Sequence, residues 1–218
     1  MTLLELSNIS YIVKDKSIIR NVSLSVNQGD YITIVGPSGS GKSTLLKLCS
    51  DLISPTSGTI TYNGRPLTDI DPESYRKEVG YCFQRPYLFA KTVHRNILFP
   101  YDIRGLEPDM SRIEYLFDLL HMPLNYMERR NDELSGGEMQ RICLIRSLIF
   151  EPKVLLLDEV TSALDATNTS IVENVIDELY KKGITIISIT HNEEQSLRTA
   201  NRRITIVDGQ LAKEEVLI

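Results

Sequence analysis

Three short runs carry residue types that could do chemistry together. The first is Gly36-Pro37-Ser38-Gly39-Ser40-Gly41-Lys42-Ser43, which fits the pattern GxxxxGK(S/T) for holding a polyphosphate. Its glycines let the backbone curl into a ring of N–H donors. A helix that follows directs the positive end of its dipole at the anion. Lys42 can bridge the β- and γ-phosphates of a nucleotide, and the Ser43 hydroxyl can ligate Mg2+. The second run is Val154-Leu155-Leu156-Leu157-Asp158-Glu159, four apolar residues ending in two carboxylates. Alone, such a run is a common strand end. Beside a phosphate-binding loop, Asp158 can orient Mg2+ or its water, and Glu159 can polarise an attacking water as general base. The third run is Leu134-Ser135-Gly136-Gly137-Glu138, ahead of the apolar residues Ile142, Cys143, Ile145, Leu148 and Ile149. Ser135 suits a helix N-cap, and Glu138 completes a capping box. The small residues between them bare N–H groups that an anion could use.

Such runs need strands and helices to aim them. Leu3–Ser10 and Ile18–Val26 alternate as strands do, and Tyr31–Val35 is an apolar strand leading straight into the glycine-rich run. Leu45, Leu46, Cys49, Leu52 and Ile53 share one side of a helix predicted from Lys42 to Leu52. Thr59–Tyr62 and Val79–Phe83 read as further strands. From about Gln84 to Phe150 the texture changes to short helical stretches such as Ser111–Leu120, broken by Pro100, Pro108 and Pro123. Alternation then resumes: strand Val154–Leu157, helix Asn168–Lys182, strand Ile184–Thr190 and strand Arg203–Val207 before the turn Asp208-Gly209. The fold class is therefore α/β with a mostly parallel sheet, its ligand at the strand C-terminal ends.

Bulk properties narrow the function. With 218 residues the chain suits one α/β domain carrying an insertion. A net charge of −5 argues against a nucleic-acid binder, which needs a basic excess to displace counterions. The three cysteines, Cys49, Cys82 and Cys143, have no metal-ligand spacing and sit among apolar residues, as buried reduced thiols do. The start MTLLELSNIS lacks a charged leader, and no apolar run approaches the roughly 18 residues needed to cross a bilayer, so a membrane role must come through a partner.

Pro37-Ser38-Gly39-Ser40-Gly41-Lys42-Ser43-Thr44-Leu45-Leu46 and Leu134-Ser135-Gly136-Gly137-Glu138, in this order with the Asp158-Glu159 run, resemble an ABC-transporter ATPase along essentially the whole chain. The resemblance implies a P-loop NTPase (RecA-like) core over residues 1–84 and 151–218, including an N-terminal antiparallel β subdomain, and a helical subdomain over about 85–150. It implies ATP and Mg2+ as cofactors. Gln84 resembles the glutamine that reaches Mg2+ and the attacking water, and His191 the switch histidine at the γ-phosphate. Ser162-Ala163-Leu164-Asp165 resembles the loop that crosses the dimer interface, and Tyr11 the aromatic that stacks on adenine. Lys42 and Ser135 both need to reach phosphate. The family solution is a head-to-tail homodimer, each ATP lying between Gly36–Thr44 of one chain and Ser135-Gly136-Gly137 of the other.

The partner so implied is a separate integral membrane permease, docking near Gln84–Phe89, with the subunit peripheral on the cytoplasmic face of the membrane. Tyr87 or Phe89 is then expected to be partly exposed. Ser54–Thr59, Leu88-Phe89, Thr92-Val93, Asn96, Phe99-Pro100 and Pro152–Leu157 with Thr161–Asp165 resemble, within the family, bacterial Fet-type iron-export ATP-binding subunits. Two positions depart from the family pattern: Glu138 stands where Gln is usual, and Val160 where Pro is usual. The alternative is a soluble ABC ATPase of DNA repair or translation. Such proteins carry a coiled-coil insertion or two fused modules, for which this length leaves no room. A small P-loop kinase or GTPase is disfavoured by Ser135-Gly136-Gly137 and Gln84. His94 and His121 match no motif and are expected to be structural.

Overall fold

A computed structural model describes residues 1–190 and 197–217. The alternating N-terminal residues form two strands, β1 (Thr2–Val13) and β2 (Lys16–Asn27), paired antiparallel. Leu4, Leu6, Ile9, Val22, Leu24 and Val26 are buried while Glu5, Ser23 and Ser25 face out, the period of two that a half-buried sheet requires. β4 (Ser57–Tyr62) and the short β5 (Arg65–Pro66) complete a sheet ordered β2-β1-β4-β5.

The second sheet contains β3 (Tyr31–Val35), β6 (Val79–Cys82), β7 (Val154–Asp158), β8 (Thr185–Ile189), β9 (Arg202–Val207) and β10 (Gln210–Val216), in the order β10-β9-β3-β8-β7-β6. β9, β3, β8 and β7 run parallel. Every residue of β7 and β8 is buried, which explains their unbroken apolar sequences: a parallel strand covered on both faces cannot alternate. β10 is a polar edge held to β9 by antiparallel pairing and by ion pairs, Arg202 with Glu214 and Arg203 with Glu215. Its polarity hid it from a hydrophobicity reading.

The chain divides into two units. The first comprises residues 1–81, 153–159 and 180–218, with both sheets, α1 (Lys42–Cys49) and α2 (Pro72–Glu78). One apolar cluster joins Leu4, Leu6, Ile32, Ile34, Leu45, Leu46, Leu156, Ile187 and Ile204. α1 ends three residues before the predicted Leu52, because Asp51 takes a left-handed conformation (φ 55°) that halts it. α2, unforeseen, begins at Asp71, whose side chain accepts from Ser74 N at 2.8 Å, with Pro72 as first helical residue.

The second unit comprises residues 82–152 and 160–179. It holds α3 (Val93–Asp102), α4 (Met110–Leu119), α5 (Gly136–Leu148) and most of α6 (Ala166–Lys181). Pro100 lies inside α3 rather than breaking a helix. It stands near the helix end, so the missing N–H costs one ladder bond there. Arg112 of α4 donates to the carbonyls of Leu148 (2.7 Å) and Ile149 (3.3 Å), closing the negative end of α5. The three cysteines are buried and free, and burial pushes the thiols of Cys49 and Cys82 up to about 12. Among the described residues no helix is long and apolar enough to cross a membrane.

Candidate active site

In the first unit, β3 ends at Val35 and α1 starts at Lys42, so Gly36–Gly41 form the predicted strand-to-helix loop. Two glycines show what shapes it. A Cβ on Gly36 would lie 2.0 Å from the Ile206 carbonyl oxygen, so the end of β9 forms the back wall of the loop. The Asp208-Gly209 turn adds a second brace. Gly209 N donates to Ser40 O at 3.0 Å, and Gly209 O accepts from Arg20 N at 2.8 Å.

Gly209 has φ 77°, and a Cβ there would lie 2.3 Å from Ile18 O. Gly209→Ala must therefore enter a left-handed conformation, at about 1–2 kcal/mol, and also push backbone from backbone. At ~2–4 °C per kcal/mol for a chain of this size, we expect Tm to fall by about 5–10 °C, with weaker nucleotide binding because Ser40 is displaced. Differential scanning fluorimetry with and without ATP checks this; an unchanged melting curve would discard the brace.

Lys42 is buried, and its Nζ donates to Gly36 O and Pro37 O at 2.9 Å each. Burial lowers its pKa, while the charges of Glu159 and Asp158 act the other way. The loop thus presents an ammonium group in a ring of backbone, with two carboxylates near it. Asp158, at the end of β7, is 4% exposed and uses both oxygens. Oδ1 accepts from Ser43 Oγ at 2.8 Å, and Oδ2 accepts from Tyr81 OH at 2.7 Å.

Glu159 follows in a left-handed conformation, φ 49°, uncommon for a residue with a side chain. Such strain persists only where neighbours over-determine it, and it concentrates at functional sites. Tyr11 is half-buried on β1, opposite Ile19 of β2. Ile19 in turn backs the loop, its Cδ1 lying 2.8 Å from where a Gly41 Cβ would stand. The first unit therefore gathers Tyr11, Gly36–Thr44, Asp158 and Glu159 around the C-terminal ends of β3 and β7.

In the second unit, Gln84 is exposed, just after Phe83, whose carbonyl accepts from Gln140 Nε2 at 3.3 Å. Ser135 is the N-cap of α5: its Oγ accepts from Glu138 N (3.3 Å), and its own N–H donates to Glu138 Oε2 (2.7 Å). Ser135 and Gly136 are exposed, so the helix N-terminus is open to an anion.

Glu138, the departure from the family pattern, is clamped. Tyr126 OH donates to its Oε1 at 2.6 Å, and Arg129 stands 3.9 Å away with its guanidinium over the Tyr126 ring. Burial opposes ionisation of Glu138, but Tyr126, Ser135 and Arg129 together hold its pKa below the usual carboxylate range. Asp165 bonds Asn168 twice, at N (2.8 Å) and Nδ2 (2.7 Å), capping α6, and the Asn168 side chain lies over Gly137. His191 lies outside the described residues.

The sequence places Tyr81 in a strand, Asn168 at a helix start and Arg129 in a basic pair at the surface, and does not foretell the contacts of Tyr81 with Asp158 or of Tyr126 and Arg129 with Glu138.

A family model described as ABC transporter matches residues 19–162. The chain is 43% identical over 205 residues, 94% of it and 91% of the relative, to the "Probable iron export ATP-binding protein FetA" of Escherichia coli (strain K12). It is 39% identical over 211 residues to the "Lipoprotein-releasing system ATP-binding protein LolD 1" of Chlorobium chlorochromatii (strain CaD3), covering 93% and 85% of the two chains. Among solved structures, a dimeric ATP-binding cassette in a post-hydrolysis state bound to ADP and Pi aligns with a TM-score of 0.89. The two share 27% identity over 99% of each chain.

Proposed function

The chain belongs to the ABC transporter family, and on that premise we propose that it hydrolyses ATP in a head-to-tail dimer to drive a separately encoded membrane permease. The observation that carries the catalytic reading is the cluster in the first unit. An ammonium held by loop carbonyls, a part-buried Ser43–Asp158 hydrogen bond and a strained Glu159 converge on one glycine-rich loop. In this reading Lys42 leaves Gly36 O and Pro37 O for the β- and γ-phosphate oxygens, and Tyr11 stacks on the base. Ser135-Gly136-Gly137 of the second chain closes over the γ-phosphate, with Gln84, Asp165 and His191 completing the contacts. Glu159 accepts a proton from the water as the water's oxygen bonds to γ-phosphorus; the bond to the β-bridging oxygen breaks, giving ADP and phosphate.

Ser43 and Asp158 fit a hard cation. Both offer oxygen, and Mg2+ takes few protein ligands, completing its shell with phosphate oxygens and water. Among the described residues no cluster of three or more His, Cys, Asp and Glu could hold a metal without such help. The cation supplies neutralisation of phosphate charge; Ser43 and Asp158 set where it sits.

The transport half rests on the relatives' names and on an exposed aromatic surface. Tyr87 is 69% exposed. Phe89 is less free, stacked edge-on against Phe99 at 4.3 Å and covered by Arg146. An exposed aromatic after Gln84 suits the docking of a cytoplasmic helix of the permease; in this reading the subunit works at the cytoplasmic face of the membrane. Cargo selection then belongs to the permease, and likeness to an iron-export subunit makes metal export the first class to assay.

Tyr87→Ser should reduce binding to a co-expressed permease about tenfold or more, with basal ATP turnover within twofold of wild type. Microscale thermophoresis in detergent and a phosphate-release assay read the two quantities. Normal permease affinity would move the contact elsewhere on the second unit. No ATPase activity in the wild-type protein would end the wider reading.

A further inference from the structure

Asp158 is held from two sides, and only one of them belongs to the glycine-rich loop. Ser43 Oγ reaches Oδ1 from the first turn of α1, at 2.8 Å. Tyr81 OH reaches Oδ2 from β6, the neighbour of β7 in the sheet, at 2.7 Å. We propose that Tyr81 is a positioning residue of the nucleotide site. Its phenol fixes the Asp158 carboxylate so that Oδ1, beside Ser43, faces the cation that accompanies the nucleotide. This rests on the ATPase reading above and adds to it a residue outside the three motif runs.

The chemistry of the donor argues for this role over simple packing. A phenol donates one hydrogen bond and carries no charge, so it holds Asp158 without bringing a positive charge beside the cation. A lysine or arginine in the same place would neutralise the carboxylate and compete with the metal. One donor also makes the two oxygens unequal: Oδ2 is occupied, and Oδ1 is left to share between Ser43 and a ligand. Asp158 is 4% exposed, so water does not readily replace a lost partner at Oδ2. Partners of this kind, one step behind a ligand, orient it and strengthen its binding. Tyr81 also packs its ring on the core of the first unit, so the lever arm behind the hydroxyl is rigid.

Tyr81→Phe removes one oxygen and keeps the ring. ATP affinity is measured with a fluorescent nucleotide, once in EDTA and once across a Mg2+ titration, with Tm recorded alongside. We expect EDTA affinity within twofold of wild type, and a half-saturating Mg2+ concentration raised about tenfold, the scale of one charge-assisted hydrogen bond. An unchanged Mg2+ titration overturns the proposal. Equal losses with and without Mg2+, or failure to fold, overturn it too, because they mark a packing role. Ser43→Ala in the same titration separates this proposal from the reading beneath it. If Ser43→Ala shifts the Mg2+ dependence and Tyr81→Phe does not, Tyr81 alone is misassigned. If neither shifts, the Ser43–Asp158 cation site is itself wrong.

Discussion

Glu159→Gln should bind ATP within a few-fold of wild type, lower kcat by about 10²–10⁴, and trap a dimer, because the amide keeps the shape and loses the basicity. The substitution is unusually clean here. Glu159 occupies a left-handed conformation that costs about 1–2 kcal/mol for an ordinary side chain. An isosteric replacement leaves that backbone undisturbed. Removing the charge also removes a carboxylate from the neighbourhood in which phosphate charge must settle, so bound nucleotide should hold the closed state longer. Burial lowers the Lys42 pKa while the Glu159 charge acts to raise it, so the substitution also changes the electrostatics of the ammonium intended for phosphate.

Size-exclusion chromatography with Mg-ATP should show the variant at twice the monomer mass, and phosphate release should be near background. Turnover like wild type would remove Glu159 as base. A strictly monomeric profile at high protein and nucleotide concentration would count heavily against the shared-site dimer, whatever the turnover.

Much of the first unit could be read from local order alone. Gly36–Ser43 has a pattern that requires a strand before it and a helix after it, and both are there. Val154–Leu157 reads as a buried strand because nothing polar interrupts it, and every residue of β7 is buried. Ser135 and Glu138 form the capping box that their spacing specifies. What stayed hidden depends on partners distant in sequence. Nothing local to Tyr81 says that β6 will lie next to β7, since sheet order is not chain order, so its bond to Asp158 had no local signal.

The back wall of the loop is hidden for a different reason. Ile206 and Gly209 act through backbone carbonyl and amide groups, and side-chain pattern carries no record of them. Glu138 shows a mixed case. The capping role follows from spacing, but the clamp by Tyr126 and Arg129 belongs to tertiary structure. α2 carries a local signal in Asp71, the N-cap, before Pro72.

Lys42→Ala should cut ATP affinity by about 10²–10³ and bring hydrolysis below detection. Hydrogen bonds to charged groups contribute about 1.5–3 kcal/mol each, and two phosphates lose their shared cation together. The free protein has already met part of the cost of placing that cation. Lys42 is 5% exposed, and its Nζ is held by Gly36 O and Pro37 O at 2.9 Å each. Nucleotide therefore exchanges two neutral acceptors for charged ones, in a site that needs little reordering.

The same geometry predicts a small effect on the fold. Alanine removes a buried ammonium whose desolvation was unfavourable, yet it leaves two loop carbonyls short of a donor, and these terms oppose each other. Tm without nucleotide should then shift by only a few degrees, while stabilisation by ATP, which grows as RT ln(1 + [L]/Kd), should largely vanish at concentrations that saturate wild type. Thermal denaturation with and without ATP separates the two effects in one experiment. Near-normal turnover, or a thermal shift with ATP equal to that of wild type, would remove Gly36–Ser43 as the phosphate-binding loop.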